Sequence, residues 1–331
     1  MSYQGPDFDV PQPERPGRLR RGLLTVSLAA LVPGALLGWL VYEAVGDPGG
    51  SDTAAPPSAT GSPSATGSPS GSGSPSGSAG PLLPSYPGQD DKGAGQSASR
   101  TPAASGPLKG KVVVIDPGHN QGNFRHTAEI NRTVDIGTNR KECDTTGTST
   151  NAGYTEVRFT LDVAHRLRAL LEAQGATVKL THDGDSPAWG PCVDERARIG
   201  NEAHADASVS IHADGAASGD RGFHVILPGA VHAGSADTRP IVSASRDLGE
   251  RIAGNFVRVT GEAPSNYIGG GTGLVTRKDL GGLNLSTVPK VFIECGNMRD
   301  SKDAASLTNG GWRQKAAEGI SEGIVSFLRE S

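Results

Sequence analysis

The chain has no surplus of either charge. Its 331 residues hold 31 lysines and arginines against 35 aspartates and glutamates, a formal net charge of −4. Without an excess of positive charge, nucleic acid is excluded as the main partner. Residues 49–108 lack large apolar side chains almost entirely. Ser, Gly, Pro, Ala and Thr fill them, with the near-repeat Ser-Ala-Thr-Gly-Ser-Pro. Such a segment buries too little apolar surface to offset the entropy of ordering it, which excludes a second core there and predicts a disordered linker. About 220 residues follow, ample for one well-buried domain.

Residues 22–42 contain no charged side chain at all, a stretch of about 21 residues that suffices to cross a bilayer as a helix. Pro33 and Gly34 interrupt it, which membrane helices tolerate. Arg15, Arg18, Arg20 and Arg21 precede it, whereas Glu43 and Asp47 follow and no lysine or arginine appears until Lys92. That asymmetry predicts a cytoplasmic tail at 1–21, a signal-anchor at 22–45, a linker at 46–108 and an exported domain at 109–331, on the wall side of the cell membrane. The alternative is a cleaved signal peptide and a secreted protein, although no clean Ala-x-Ala site follows Trp39.

From residue 109 onward, strand and helix patterns alternate. Apolar runs at 111–116, 177–180, 207–212, 223–227, 274–276 and 289–294 read as strands. Amphipathic stretches at 155–173, 193–204 and 312–328, and one capped by Asp237 and closed by Gly261, read as helices. Alternation of this kind predicts a three-layer α/β domain around a mostly parallel sheet. Three cysteines admit three pairings. Cys143 and Cys192 stand in polar loops and are the favoured pair, while Cys295 ends an apolar strand and reads as a buried thiol. Three free thiols remain the alternative.

Chemistry concentrates at strand ends. Val114-Ile115-Asp116-Pro117-Gly118-His119 and Ser210-Ile211-His212 each end a strand in histidine, where open α/β sheets build their sites. Two such imidazoles call for a third ligand, and Glu156 opens the intervening helix. It also reads as a carboxylate complementing the helix dipole. Glu294 ends Val291-Phe292-Ile293, where a charge is costly unless paired or used. It is a candidate general base, or else an ion-pair partner of Arg277 or Arg299. Asp116 reads as an acceptor orienting its own turn or a ligand imidazole. His126, His165, His182, His204 and His232 read as solvated, and His224 as lining the groove. Gly269-Gly270-Gly271-Thr272-Gly273 lacks the strand-to-helix setting of a phosphate loop and reads as a flexible groove edge.

Val-Ile-Asp-Pro-Gly-His, Gly153-x-x-Glu156, Ser-Ile-His-Ala-Asp and Val-Phe-Ile-Glu-Cys-Gly-Asn-Met, in that order across 111–328, resemble the zinc-dependent N-acetylmuramoyl-L-alanine amidases. Lys141 to Gly147, Gly190 to Arg196 and Asp279 to Asn284 are similar to the short actinobacterial, mycobacterial-type members, in which the two loop cysteines pair. The resemblance implies one zinc held by His119, Glu156 and His212, Glu294 as the catalytic carboxylate, and peptidoglycan as substrate. It further implies water activated by the metal and cleavage of the amide between N-acetylmuramic acid and L-alanine. Asn120 departs from the glycine usual after the histidine. The loop from Gly229 to Thr238 is too short for the helical plug of autoinhibited relatives. Rival expectations are a non-catalytic peptidoglycan-binding or regulatory pseudoenzyme, and a zinc peptidase or deacetylase. The domain is expected to be monomeric.

Overall fold

A computed structural model describes residues 105–184 and 186–330. The expected tail and anchor, and the linker as far as residue 104, lie outside them. Among the described residues no helix is long and apolar enough to cross a membrane. Six strands form the central sheet: β1 (Val112–Pro117), β2 (Thr177–Leu180), β3 (Ala207–Asp214), β4 (His224–Pro228), β5 (Leu274–Arg277) and β6 (Lys290–Asn297). Their order is β2-β1-β3-β6-β4-β5. Every neighbouring pair is parallel except β6 with β4. Helices α1 (Glu156–Ala173), α2 (Val193–Glu202), α3 (Val242–Thr260), α4 (Ser301–Thr308) and α5 (Gly310–Glu330) flank it. The result is the expected mixed α/β domain with a mostly parallel sheet between helices.

Alternation along the strands decides which residues meet which layer. Val113, Ile115, Val209, Ile211, Val291 and Ile293 turn one way, into a core with Phe159, Val163 and Leu167 of α1 and Leu248, Ile252 and Phe256 of α3. The opposite face carries only a small cluster, Val114 with Ala205 and Val288, against Ile199 and Ala203 of the α2 region. Farther along, Asp116, Ser210 and Lys290 make that second face polar, although each is at most 1% exposed. The sheet is therefore oil on one side and a buried polar shelf on the other. Leu108 is fully buried in the larger core, and its N–H donates to Gln174 O at 3.0 Å. The folded unit thus begins inside the segment expected to be linker.

Two expectations about elements need correction. Asp237 does not cap a helix: it pairs with His232 in a two-residue hairpin, and its carboxylate meets Arg239 at 2.7 Å. Ile241 N at 2.9 Å and Val242 N at 3.1 Å donate to Thr238 O, and no side chain caps the helix that follows. Buried Thr238 meanwhile holds the turn, accepting from Val231 N at 2.8 Å and donating to Gly229 O at 2.7 Å. Helix α3 therefore starts only at Val242. The stretch after β1 is also not plain loop, since it contains turns at Asn123–Arg125 and Thr127–Ile130 and a hairpin of Thr133–Asp135 with Arg140–Glu142.

Cys143 and Cys192 form a disulfide across 49 residues, and Cys295 is a buried free thiol. On the chain-entropy account a closed loop of that size stabilises the fold by about 4 kcal/mol. Replacing both cysteines by serine is expected to lower the melting temperature by roughly 10 °C, read by calorimetry without reductant. A melt matching wild type would show that the surrounding contacts already restrain this loop in the unfolded chain.

Candidate metal centre

The site begins where β1 leaves the sheet. Gly118 N still donates to Ile211 O at 2.9 Å, so the Pro-Gly turn stays tied to β3. A Cβ on Gly118 would sit 2.4 Å from His212 Cε1, so glycine is required for the two segments to approach. His119 then adopts φ 62°, the left-handed region. For an L-residue that conformation costs about 1–2 kcal/mol and needs outside support. Arg196 provides it, its Nη2 donating to His119 O at 2.9 Å.

Three donors converge here. Glu156, buried at the first turn of α1, lies with Oε2 3.1 Å from His119 Nε2 and Oε1 3.0 Å from His212 Nδ1. The donor atoms of the trio all fall within 4.8 Å of one another. Backbone amides hold the carboxylate in place: Thr148 N donates to Oε2 at 2.9 Å and Ala213 N to Oε1 at 3.2 Å. Gly147 (φ 73°) closes the cluster, because a Cβ there would lie 2.8 Å from His119 Cδ2 and 2.9 Å from Glu156 Oε2. His119 Nδ1 stands 3.1 Å from Thr145 O, an acceptor that selects the tautomer with a lone pair on Nε2. The donor set fits a small divalent cation. Bonds of about 2 Å in tetrahedral array put neighbouring ligand atoms roughly 3.3 Å apart, close to the spacing seen.

Electrostatics agree with that fit. Burial opposes the imidazolium of His119, but the Glu156 carboxylate and then Asp144 outweigh it and raise its pKa to about 10. Burial likewise opposes the Glu156 carboxylate, and His119 and His212 outweigh it, holding the carboxyl well below its usual range. A metal must displace the His119 proton. Zinc added to the metal-free protein at pH 7.5 is therefore expected to release about one proton per ion, measured by titration calorimetry in buffers of different ionisation enthalpy. Apparent affinity should rise up to tenfold per pH unit toward pH 10, where His119 loses its proton unaided. Affinity independent of pH between 7 and 9 would contradict this.

Glu294 stands beside the trio. Strand register sets His212 of β3, Glu294 of β6 and His224 of β4 abreast. Glu294 Oε2 is shielded from solvent and has no hydrogen-bond partner. Burial, and next the charges of Glu156 and Asp214, push the carboxyl well above its usual range. The expected alternative ion pairs are not made. Arg277 is engaged twice by Asp279, at 2.9 and 2.7 Å, and Arg299 Nη1 donates to Ser149 O at 3.4 Å. Neighbouring Asp214 accepts from Tyr267 OH at 2.7 Å. His224, expected in the groove wall, is buried edge-on to Tyr267, and burial lowers its pKa to about 4, so it is neutral.

Behind the trio lies an arrangement that sequence reasoning missed. Asp116 faces no ligand imidazole. It accepts from Thr181 Oγ1 at 2.6 Å, Arg196 Nη1 at 2.7 Å and Ser210 Oγ at 2.8 Å, with Lys290 Nζ at 3.4 Å. The carboxylate beside His119 Nδ1 is instead Asp144, at 3.6 Å. Buried Arg196 spans both acids, adding Nη2 to Asp144 Oδ2 at 2.9 Å, Nη1 to Pro117 O at 2.7 Å and Nε to Pro191 O at 2.8 Å. The available signal was an arginine on the apolar stripe of α2, one turn from Val193 and beside Ala197. His182 is also buried rather than solvated, with Nε2 2.9 Å from Pro117 O, because the chain after β2 returns under the turn. His126, His165 and His232 pair with Glu129, Asp183 and Asp237, and exposed His204 ends the α2 segment; none joins the trio. Gly269, Gly270 and Gly271 all take positive φ, at 71°, 60° and 74°, in the turn before β5.

The profile of a family described as N-acetylmuramoyl-L-alanine amidase matches residues 113–326. The N-acetylmuramoyl-L-alanine amidase Rv3717 of Mycobacterium tuberculosis is 41% identical over 237 residues, 70% of this chain and 91% of that protein. The crystal structure of the N-acetylmuramyl-L-alanine amidase Ami1 from Mycobacterium smegmatis superposes with a TM-score of 0.62 at 38% identity, covering 68% of this chain and 99% of that one. The apo form of Ami1 from Mycobacterium abscessus gives 0.60 at 38% identity, over 67% of this chain and 100% of that one.

Proposed function

The chain belongs to the N-acetylmuramoyl-L-alanine amidase family, and from that premise we propose that it cuts the muramoyl–alanine amide through a zinc ion held by His119, Glu156 and His212, with Glu294 moving the proton. As a member of that family it is a hydrolase, and peptidoglycan is its substrate. The observation that carries the zinc reading is the convergence of three donors within 4.8 Å beside a carboxyl whose Oε2 has no partner. Bound there, zinc would supply Lewis-acid polarisation of the carbonyl and lower the pKa of water.

The protein's own groups do the rest. Glu156 carries one negative charge into the donor set, and the amides of Thr148 and Ala213 hold its carboxylate in place. His119 is held by Arg196 and Thr145 with its Nε2 facing inward. Glu294 takes the proton of the attacking water and returns it to the alanine nitrogen as the C–N bond breaks. Its raised pKa makes it a stronger base than an exposed carboxylate, and hence a ready acceptor.

We further propose that residues 22–45 anchor the protein in the cell membrane with the domain on the wall side, as the chargeless run and the arginines before it support. Treated as a flexible coil, a linker of about 60 residues reaches roughly 45 Å, enough for a monomeric domain to sample wall near the membrane. Digestion of purified peptidoglycan tests the chemistry. Mass spectrometry should find free stem peptides with an amino-terminal L-alanine and uncut glycan; cleavage inside the peptide, or loss of acetate alone, would sink the reading.

A further inference from the structure

A groove of about 570 Å³ borders the trio, lined by Asn120, which follows His119, by Gly147 and Thr148 against Glu156, and by Phe124. Phe124 is 59% exposed, although Arg125 lies 5.0 Å from its ring centroid. Among the described residues only Val257 joins it as an exposed large apolar side chain, and Val257 sits in α3 outside the groove lining. Single exposed apolar residues are ordinary. What sets this one apart is how it is held.

The turn that carries Phe124 is braced from both sides by buried amides. Asn120 Nδ2 donates to Pro187 O at 3.0 Å and Gly190 O at 2.9 Å, while its Oδ1 accepts from Gly122 N at 2.8 Å. Asn123 Nδ2 donates to Thr145 O at 2.7 Å and Asp144 Oδ2 at 3.0 Å, and its Oδ1 accepts from Gly190 N at 2.8 Å. A Cβ on Gly122 would lie 1.8 Å from Ala188 O, so the turn is pressed against that segment. Asn120, which departs from the usual glycine, therefore has a purpose. The ring is presented by a rigid support, the preorganisation that lowers the ordering cost of binding.

Groove chemistry identifies the occupant. Its polar side chains are amides and hydroxyls, with Arg158 the one charged group and no carboxylate. The other concavity against His119 and His212 is charged instead, with Lys141, Glu142 and Asp279 in its wall. Pyranose rings have apolar C–H faces that lie on aromatic rings, and acetamido and hydroxyl groups that pair with neutral amides and hydroxyls. Stem peptides carry free carboxylates, for which this lining offers a single cation, Arg158, whose guanidinium already stacks 5.2 Å from the Tyr154 ring centroid. We propose that this groove is the glycan subsite, with a sugar of the strand stacked on Phe124, so that the stem peptide leaves on the Lys141 side. The assignment rests on the amidase reading and adds the polarity of the substrate to it.

The test is a titration of the full chain with tetra-N-acetylchitotetraose, a glycan without peptide, followed by calorimetry or NMR. Wild type should bind it, F124A should bind about tenfold more weakly with an unchanged melting temperature, and F124W should restore binding. Failure of wild type to bind at saturating sugar, or equal binding by F124A, would overturn the proposal. So would loss of affinity in F124A for a peptide probe, L-Ala-D-Glu, in place of the sugar. Failure of the amidase reading shows separately, as no stem peptide released from wall, while the sugar titration still reports on the groove.

Discussion

Changing Glu294→Gln should reduce release of stem peptides by 10²–10⁴-fold while zinc remains bound at one ion per domain. The amide keeps the shape of the side chain but cannot accept the water's proton, so only the group's proton chemistry is removed. The same variant should be the more stable protein once zinc has been stripped out. Glu294 has a folded-state pKa raised well above 4.5, by burial first and by Glu156 and Asp214 next. A raised carboxyl pKa gives stability that is complete below 4.5 and is lost as pH rises through the folded value. As pH rises above 4.5 wild type loses that contribution progressively, whereas a neutral amide has no carboxyl to titrate. The melting temperature of metal-free E294Q should therefore exceed that of wild type at pH 7.5, with the gap closing toward pH 4. Near-normal turnover, or a less stable variant at pH 7.5, would show that Glu294 is a structural carboxylate.

Arg196→Met should be among the most damaging single changes in the domain, although Arg196 is not one of the three metal donors. Its guanidinium faces Asp116 at 2.7 Å and Asp144 at 2.9 Å, all three buried. Removing one partner of a buried ion pair costs about 3–5 kcal/mol, because the remaining charge is stranded. Lys290 still faces Asp116 at 3.4 Å, whereas Asp144 keeps Asn123 and Thr145 as donors and His119 Nδ1 at 3.6 Å. The expected fall in melting temperature is roughly 10 °C. Burial raises both acids, but Arg196 leads the charges that outweigh it and hold them below 3.8. Their contribution is present above pH 3.8 and lost as pH falls through the folded values, so the penalty of R196M should shrink in acid. Zinc affinity should fall with it, since the His119 carbonyl loses its donor in the left-handed turn. Arg196→Lys retains the charge without the forked geometry and should recover part of the stability. An R196M protein with unaltered melting and zinc affinity would show that the network merely accompanies the fold.

Most of the fold was legible because it is written at short range. The apolar run ending at Asp116, the amphipathic period across 155–173, and the stop at Gly261 each report a period or a break within one element. Errors came where a local signal met a nonlocal one. Asp237 looked like a helix cap, yet it pairs with His232 and Thr238 is tied to Gly229, and α3 starts at Val242. His182 looked solvated until β2 was laid beside β1.

The sequence by itself determined the α/β class, the strands that carry His212 and Glu294, the turn after β1 that carries His119, the helix start that carries Glu156, and the unpaired character of Cys295. It ended β3 and β6 too early, since they run on to Asp214 and Asn297. Tertiary structure alone decided that Asp144, not Asp116, stands beside His119, that Arg196 spans both acids, and that Asn120 and Asn123 hold Phe124 in water. The reason is separation along the chain. Arg196 lies 80 residues from Asp116 and 52 from Asp144, and Asn123 lies 67 from Gly190. Periodicity says which face a side chain takes within its own helix or strand. Which charge it meets there depends on the order and register of the strands, and no local pattern encodes those.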